Sequence, residues 1–426
     1  MIQIPAFDSN KKFTENSNYS NSVAASVGWL GHKLTYLSSL ILEQGAKIVS
    51  PLTPGFQGQC HSKWKEVCIR ILRIIFCILL SWSLVLAIVG GGLRLLASLA
   101  KRDFTLTHNG NQLSVQNNNI EQIKIRTFNV AMMPEFICTS NKVRSTRKRI
   151  QEVANVLLKR DDDIICLQEL FHSEAADNLI EQLQKKYPYM ISNVDPRSFG
   201  LNSGLMIASK YPIVHVDFWR HINRGGMDAY TNKGALAVTI KPSIAQALVV
   251  VNAHLNGGAP SNALFTEFGK SYREDQVKQI KRQVKVYVDQ CSERNGMIPA
   301  VLFTGDYNIG PQAPKKAANR DWETTPDPEW ASIKYLMNPL ISDNDSRGTT
   351  FELGQDQATG WDRSQLDRWK IKPEYVDHIG LGKVEECNPR QLPRQPIELI
   401  DRSIDPMNGA SDHLAVAAKF RIVASS

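Results

Sequence analysis

The sequence lacks the cysteine spacings that mark a zinc site or a disulfide framework. Its seven cysteines are scattered, with no C-x-x-C pair and an odd total. Cys77 lies in an apolar run and Cys166 in an apolar strand pattern, where thiols behave as small hydrophobic groups. An odd, scattered set predicts reduced thiols, so we expect the large domain to face a reducing compartment.

Glycine-rich phosphate loops and internal repeats are missing as well. No G-x-G-x-x-G or Walker sequence occurs where a nucleotide-binding strand and helix would need it. Acidic residues are fewer than basic ones: 42 Asp and Glu stand against 50 Lys and Arg, which gives a net charge of +8. A basic excess favours anionic partners and does not choose between lipid headgroups and nucleic acid. At 426 residues the chain is long enough for one large domain with appendages.

One stretch lacks charge altogether. No residue from Ile74 to Leu93 is charged, and about 20 such residues are needed to cross a bilayer. We therefore predict a membrane-inserted segment. The glycines at 90–92 leave a bend or a re-entrant hairpin open, and the orientation is undecided because basic residues flank both ends: Arg70, Arg73, Arg94, Lys101 and Arg102.

The composition predicts four parts. Residues 1–60 are a polar to amphipathic N-terminal region, and its stretch Val23–Ile48 suits either an interfacial helix or a packed one. Residues 61–102 contain the membrane-inserted segment, and residues 103–122, rich in Asn, Gln and Thr, predict a linker. Residues 123–426 form the remaining domain.

The last part has an α/β pattern. Helical periodicity marks residues 150–158 and Glu274–Cys291. The basic residues Arg144, Arg147, Lys148 and Arg149 are interpreted as a solvated helix face. Short apolar strands are predicted at Ile123–Val130, Asp163–Leu167, Leu205–Ser209, Ala235–Ile240, Leu248–Ala253, Ala300–Thr304 and Ala415–Phe420.

Polar residues of a similar kind follow these strands. In Gly305-Asp306-Tyr307-Asn308, a carboxylate and an amide two positions apart point to the same side of an extended chain. Oxygen ligands of this type suit a hard cation such as Mg²⁺ or Mn²⁺, and a His beside an Asp suits a general base. Each residue alone also fits a structural role, such as a capped turn or a core histidine. The set comprises Asn129, Glu169, His254, Asp306, Asn308, Asp412 and His413.

The order of these motifs resembles that of the endonuclease/exonuclease/phosphatase superfamily over about residues 123–424. The resemblance implies a four-layered α/β sandwich, in which two mixed sheets pack face to face with helices outside. It is carried by Phe128-Asn129, Gln168-Glu169, Ser203-Gly204-Leu205, Asn252-Ala253-His254-Leu255, Gly305-Asp306-Tyr307-Asn308, Val376-Asp377-His378-Ile379 and Ser411-Asp412-His413.

Within that superfamily the sequence is most similar to membrane-bound neutral sphingomyelinases. Residues 224–236 resemble the segment in which an Asp and a Lys five positions later pair, here Asp228 and Lys233. An incidental Asp and Lys in a hairpin loop is the alternative. The sequence departs from the family where His378 follows Asp377, at a position where an aromatic residue is common, and this puts substrate choice in doubt.

The resemblance implies Mg²⁺-dependent hydrolysis of sphingomyelin to ceramide and phosphocholine, with Mn²⁺ as a second candidate ion. Glu169 and Asn129 would hold the metal, with Asp412 close to it. His413 would be the general base, oriented by Asp377. Asp306 and Asn308 would position the nucleophile and the phosphate, His254 would donate to a phosphate oxygen, and Lys233, held by Asp228, would add positive charge. The leaving-group acid stays open between His254 and a metal-bound water.

Other functions remain open. A phosphoinositide phosphatase or a nuclease uses the same scaffold, although scattered basic residues and a membrane segment argue against nucleic acid. A catalytically inactive membrane adaptor is the non-enzymatic alternative. We expect a membrane lipid substrate and an anionic membrane surface as partners. The loop Asn256–Tyr272 suits either insertion into the interface or packing.

Overall fold

The structure of this protein, a computed structural model, divides into two compact units, residues 17–102 and residues 1–16 together with 103–426. It describes residues 2–3, 26–27, 30–31, 33–38, 41, 63–98, 104–108, 119–140, 144–196, 201–257, 263–316, 322–326, 329–339, 376–383, 392, 394–405, 410–411 and 413–423.

The smaller unit contains one long helix, α1 (Lys63–Ser98). Among the described residues it is the one helix long and apolar enough to cross a membrane, over Cys77–Ala97. The helix runs through the glycines at 90–92 without a break. A Cβ on Gly90 would lie 2.8 Å from the Gly31 carbonyl oxygen, so this glycine permits a close approach of the preceding helical residues. The hydroxyls of Ser38 and Ser83 lie 3.0 Å apart in the same contact.

Large apolar side chains cover the outside of α1. An exposed apolar surface of this kind marks a site of contact with a membrane or with another protein. The exposed set includes Ile74, Ile78, Trp82, Leu84, Ile88 and Leu96. The described part of the stretch Val23–Ile48 packs against this helix, which favours the packed interpretation of that stretch.

Two seven-stranded mixed sheets build the larger unit. The first has the order β1 (Ile2–Gln3), β7 (Ile213–Arg220), β8 (Gly234–Ser243), β9 (Gln246–His254), β10 (Ala300–Asp306), β14 (Asp377–Gly382), β13 (Met337–Pro339). The second has the order β15 (Ile397–Asp405), β16 (Ala415–Ile422), β3 (Gln122–Met132), β4 (Ile164–Leu170), β6 (Met206–Ser209), β5 (Tyr189–Ser192), β2 (Thr105–His108). Pairing is parallel between β9 and β10 and between β3 and β4, and antiparallel elsewhere.

Helices and a small ribbon complete this unit. The helices are α2 (Glu135–Ser140), α3 (Thr146–Lys159), α4 (Ser173–Leu183), α5 (Ala263–Asn295) and α6 (Trp330–Leu336), with a 3₁₀ turn at Gly226–Tyr230. The ribbon pairs β11 (Gln312–Lys316) with β12 (Trp322–Pro326).

Alternation of side chains along the central strands fixes the layers. In β3, Ile123 and Ile125 enter the core shared by the two sheets, whereas Phe128 and Val130 pack under α3 and α4. Val284 and its apolar neighbours on α5 join the first sheet's core. The structure therefore confirms two packed mixed sheets with helices against them. The alternation also points Asn129, on the side of Ile125, toward the space between the sheets.

Several local expectations are wrong. Residues 105–108, expected in a linker, form β2 and pair with β5. The predicted loop Asn256–Tyr272 includes the first turns of α5, which begins at Ala263, eleven residues before the predicted helical stretch Glu274–Cys291. Arg149, expected on a solvated face, is fully buried. The predicted boundary at residues 60 and 61 lies outside the described residues.

Candidate active site

The predicted site residues converge where strands of both sheets end. Asn129 and Glu169 come from β3 and β4 of the second sheet, and His254 and Asp306 are the last residues of β9 and β10 of the first. His413 precedes β16. Because β9 and β10 are parallel and in register, His254 and Asp306 are direct neighbours.

Gly305 permits this close pairing of β9 with β10. Gly305 has φ +136°, and a Cβ there would lie 1.9 Å from the Ala253 carbonyl oxygen. Only glycine fits such a close approach to β9, and the turn that it permits presents Asp306. Three non-glycine residues beside the site, Ala131, Glu169 and Asn308, also have positive φ values, of 46°, 57° and 51°. Strained backbone of this kind gathers at functional sites.

His413 is held by Asp377. Its Nδ1 lies 2.8 Å from Asp377 Oδ2, and both side chains are buried. Its Nε2 points to Asp306 Oδ2, at 3.9 Å. Asp377 pairs with Asp306 across β14 and β10, so the sheet sets the distance between the two carboxylates. This arrangement is that of an imidazole whose tautomer is fixed on one side while the other nitrogen faces the reaction site.

A second cluster contains Glu169, His254 and Asp306. His254 Nε2 lies 3.8 Å from Glu169 Oε1 and 3.6 Å from Asp306 Oδ2. One donor atom from each residue lies within 4.8 Å of the others, and the same holds for the set Asp306, Asp377 and His413. His254 is buried, and neither ring nitrogen has a hydrogen-bond partner among the described residues. Two carboxylates beside an unpaired imidazole fit a divalent cation: the oxygens suit Mg²⁺, and the imidazole also admits Mn²⁺.

Asn129 orients Asp306. Its Nδ2 donates to Asp306 Oδ2 at 2.9 Å, and its Oδ1 accepts the backbone N–H of Ala131 at 3.0 Å. The other carboxylate oxygen of Asp306 accepts the N–H of Asn308 at 2.9 Å. Asp306 is therefore fixed by hydrogen bonds from both sheets.

Asp228 and Lys233 form an ion pair beside these groups. Lys233 Nζ lies 3.0 Å from Asp228 Oδ1, and Gly257 N–H donates to Asp228 Oδ2 at 2.6 Å. The Leu255 carbonyl accepts from both Lys233 Nζ and Asn308 Nδ2, at 3.2 Å each. The structure thus brings Lys233 to the same end of the sheet as Asn308 and Asp306. The hairpin-loop alternative does not predict this convergence.

Burial and neighbouring charges shift the pKa values of Asp306 and His254. Burial, with the adjacent Asp377 carboxylate, raises the pKa of Asp306 to about 6. Burial, with the charges of Lys233 and His413, lowers the pKa of His254 well below its ordinary value. His254 is therefore a neutral imidazole near pH 7, able to donate one hydrogen bond.

Sequence reasoning gave no role to the polar residues beneath the site. Gln168 Nε2 donates to Asn252 Oδ1 at 2.6 Å and to Thr127 Oγ1 at 3.0 Å, and Asn252 Nδ2 donates to the Leu167 carbonyl at 2.9 Å. These bonds bridge the sheets one layer below Glu169 and His254. The signal was present, because an amide inside an apolar strand such as β9 needs a buried partner.

Two other residues singled out in the sequence are Asp412 and His378. Asp412 lies outside the described residues. His378 stands where the family commonly has an aromatic residue, and its ring packs beside Tyr307 and Trp330, with centroids 5.9 and 5.2 Å away. Its Nε2 bonds to the Ile309 carbonyl at 2.6 Å, and burial lowers its pKa to about 4. The neutral ring therefore fills an aromatic position as a packing residue.

Known proteins with similar sequences point to one family. Sphingomyelinase C from Bacillus cereus is 26% identical over 291 residues, which is 64% of this chain and 78% of that protein. Human sphingomyelin phosphodiesterase 3 is 40% identical over 86 residues, 18% of this chain and 13% of that protein. The chain covers less than half the length of the first three curated relatives that it matches, at 16%, 13% and 42%.

Solved structures give a similar comparison. The crystal structure of beta toxin from Staphylococcus aureus with bound magnesium ions is 18% identical, with a TM-score of 0.49, and the match covers 70% of this chain and 99% of that one. The model of the Endonuclease/Exonuclease/phosphatase family matches residues 127–413, which contain all the site residues named above. The predicted resemblance is thereby confirmed, and this chain belongs to the endonuclease/exonuclease/phosphatase family.

Proposed function

We propose that this protein is a membrane-anchored, Mg²⁺-dependent phosphodiesterase that hydrolyses sphingomyelin to ceramide and phosphocholine. The convergence of Glu169, His254 and Asp306 with the Asp377–His413 pair carries the proposal. A binding module has no need for a carboxylate-rich cluster next to a fixed imidazole, whereas a phosphodiesterase needs both. The similarity to sphingomyelinases supports the choice of substrate.

His413 acts as the general base. Its Nδ1 is occupied by Asp377, so Nε2 is the nitrogen that takes the proton from the attacking water. Asp306 Oδ2 lies 3.9 Å from this nitrogen and would orient the attacking water beside it. Asp377 stabilises the imidazolium that results. Positioned proton transfer of this kind contributes roughly 10²- to 10⁴-fold to the rate.

His254 and Lys233 stabilise the negative charge that develops on the phosphate. Neutral His254 donates one hydrogen bond to a non-bridging oxygen, and Lys233, held by Asp228, adds a fixed positive charge. Each donor aimed at developing charge contributes about 10²- to 10³-fold to the rate. Asn308 and Asn129 fix Asp306, so the geometry is set before substrate binds.

Glu169, with Asn129 and Asp306 beside it, would hold the cation, and Asp412 is proposed to lie near it. When bound, Mg²⁺ neutralises charge on the phosphodiester and orients it for in-line attack. The side chain of Glu169 is 20% exposed, whereas that of Asp306 is 2% exposed. The open side of the cluster is therefore at Glu169, and this is where we place access for the ion and the phosphate.

Anchoring fits a lipid substrate. The exposed apolar surface of α1 supports membrane insertion, and a tethered enzyme meets its substrate at a high effective concentration. The net charge of +8 would draw the protein to anionic leaflets. The odd, scattered set of seven cysteines supports a catalytic domain on the reducing side. The membrane-inserted part, residues 61–102, and the phosphodiesterase domain from residue 123 remain part of this proposal.

Phosphocholine release by the purified full-length chain tests the proposal. The chain is assayed in detergent micelles that contain sphingomyelin, with Mg²⁺ and then with EDTA. We expect turnover that stops with EDTA and falls at least 10²-fold in His413→Ala. His215→Gln is the matched control, because His215 is also buried but lies at the opposite end of β7 from Arg220, which pairs with Gly234 next to Lys233.

Other substrates distinguish the alternatives. Turnover of phosphatidylinositol phosphates without sphingomyelin would identify a phosphoinositide phosphatase, and cleavage of nucleic acid would identify a nuclease. No turnover of any phosphodiester or phosphomonoester by the metal-loaded chain would favour the adaptor and overturn the proposal.

A further inference from the structure

Arg149 has an unusual environment for a basic residue. It lies on α3, and none of its surface is exposed. Its Nη1 donates to the carbonyls of Val130 and Ala410, at 2.9 Å each, and its Nη2 donates to the carbonyl of Ala131. Its Nε donates to the Arg144 carbonyl at 3.0 Å. All these partners are backbone oxygens, so the guanidinium joins separate pieces of main chain.

Two of those pieces carry site residues. Val130 and Ala131 directly follow Asn129, which orients Asp306. Ala410 lies three positions before His413. The Ser411 hydroxyl, between them, donates to the Asn129 carbonyl at 2.7 Å and accepts the N–H of His413 at 3.3 Å. The end of β3 and the segment that carries the base are therefore joined by Arg149 and Ser411 together.

The strained backbone at Ala131 gives an independent reason for this arrangement. Its φ of +46° is unfavourable for alanine and persists only if the surroundings hold it. Its N–H is held by Asn129 Oδ1, and its carbonyl is held by Arg149. Without the guanidinium, the turn would lose one of the two bonds that hold it, and Asn129 would lose part of its support.

We infer that Arg149 is a positioning residue for the hydrolytic reaction. It holds the left-handed residue Ala131 of β3 and the main chain at Ala410 in fixed register, and together with Ser411 it sets the placement of His413 relative to Asp306. The inference rests on the proposed function, since it assigns His413 as the base. Lysine cannot replace it, because one ammonium group cannot reach carbonyls on three sides in the way that a planar guanidinium does.

Kinetics and hydrogen exchange on the full-length chain in detergent test the inference. Arg149→Met keeps the apolar bulk of the side chain and removes the donors, and Arg149→Lys keeps the charge. Arg147→Met is the matched control, because Arg147 lies on the same helix and is paired to Glu174 at the surface. We expect both Arg149 variants to lower kcat for sphingomyelin by roughly 10- to 100-fold with KM within about twofold, as for a misplaced catalytic group. Arg147→Met should keep the wild-type kcat.

Hydrogen exchange makes the result independent of turnover. In the Arg149 variants, peptides that contain residues 129–132 and 410–413 should exchange faster, while those of β9 and β10 should not change. If the wild-type chain has no sphingomyelinase activity, the proposed function fails and exchange alone tests the coupling. Wild-type kcat, or wild-type exchange in both segments, would overturn the inference. Faster exchange throughout the unit, with a uniform loss of stability, would mean a purely structural role. If Arg149→Met does not fold, the same criteria apply to Arg149→Lys.

Discussion

The buried Asp306 carboxylate should make the metal-free protein less stable as pH rises. Its folded-state pKa of about 6 lies above the ordinary value of 3.8, because burial and the Asp377 charge disfavour ionisation. At about 1.4 kcal/mol for each pH unit, the folded protein is penalised by about 3 kcal/mol once Asp306 is ionised in both states. Below pH 3.8 the group is protonated in both states and the penalty is absent. Stability from this group is therefore lost as pH rises from about 4 to 6.

Asp306→Asn removes the titration and isolates this contribution. The free energy of unfolding is measured by urea denaturation in EDTA at several pH values between 4 and 7.5, for the wild type and the variant. The variant also loses one of the two hydrogen bonds that Asp306 accepts, from Asn129 Nδ2 or from the Asn308 N–H, because an amide has only one acceptor oxygen, and this costs about 1–2 kcal/mol at every pH. We expect the variant to gain about 2.5 kcal/mol relative to the wild type between the ends of the range, because a small part of the loss has already occurred at pH 4.

Mg²⁺ should reverse the effect in the wild type. A cation beside Asp306 favours the ionised carboxylate, so saturating Mg²⁺ should remove the decline between pH 4 and 6 and stabilise the wild type more than the variant. Parallel stability curves for the two proteins in EDTA would show that Asp306 ionises normally. An equal response of both proteins to Mg²⁺ would show that Asp306 lies away from the cation.

Three other substitutions test the remaining assignments. Asp377→Asn should lower kcat by about 10³- to 10⁴-fold with little change in melting temperature, because the amide no longer fixes the tautomer of His413, and unchanged kcat would remove Asp377 from the mechanism. Lys233→Met and Asp228→Asn should each lower kcat/KM by about 10²-fold, and the double variant should lose little more than either single one, whereas additive losses would show that the pair does not act as a unit. His378→Phe should destabilise the protein by about 1–2 kcal/mol by leaving the Ile309 carbonyl unpaired, measured by urea denaturation, and a tenfold loss of kcat would give His378 a chemical role.

The positions of the central site residues could be predicted from the sequence because they lie at or near the ends of strands that show clear apolar patterns. His254 and Asp306 each end an apolar run, and side chains at the same end of neighbouring parallel strands lie close together. Asn129 was expected at a strand end as well, but it lies three residues before the end of β3. The order of the motifs then supplied the family resemblance, and with it the expectation of two mixed sheets packed face to face. Asp377 could be placed only through the family resemblance, since no strand was predicted for it.

The residues that support the site escaped sequence reasoning for a physical reason. The spacing of Arg149 from Val153 and Val156 places it on the buried face of α3, but its charge and its basic neighbours Arg147 and Lys148 favoured a solvated cluster instead. A buried guanidinium is stable only because separate pieces of main chain offer carbonyl oxygens to it, and those pieces are 18 to 261 residues away in sequence. Gln168 and Asn252 were hidden in the same way, as polar residues whose partners lie on the opposite sheet.

The division of the catalytic groups between the two sheets has a consequence for how activity appears during synthesis. Asn129, Glu169 and His413 belong to one sheet, and His254, Asp306 and Asp377 belong to the other. Neither sheet carries the full set of site residues, so a chain whose sheets have not yet packed has no complete site. The proposed turnover therefore requires that the two sheets are packed together.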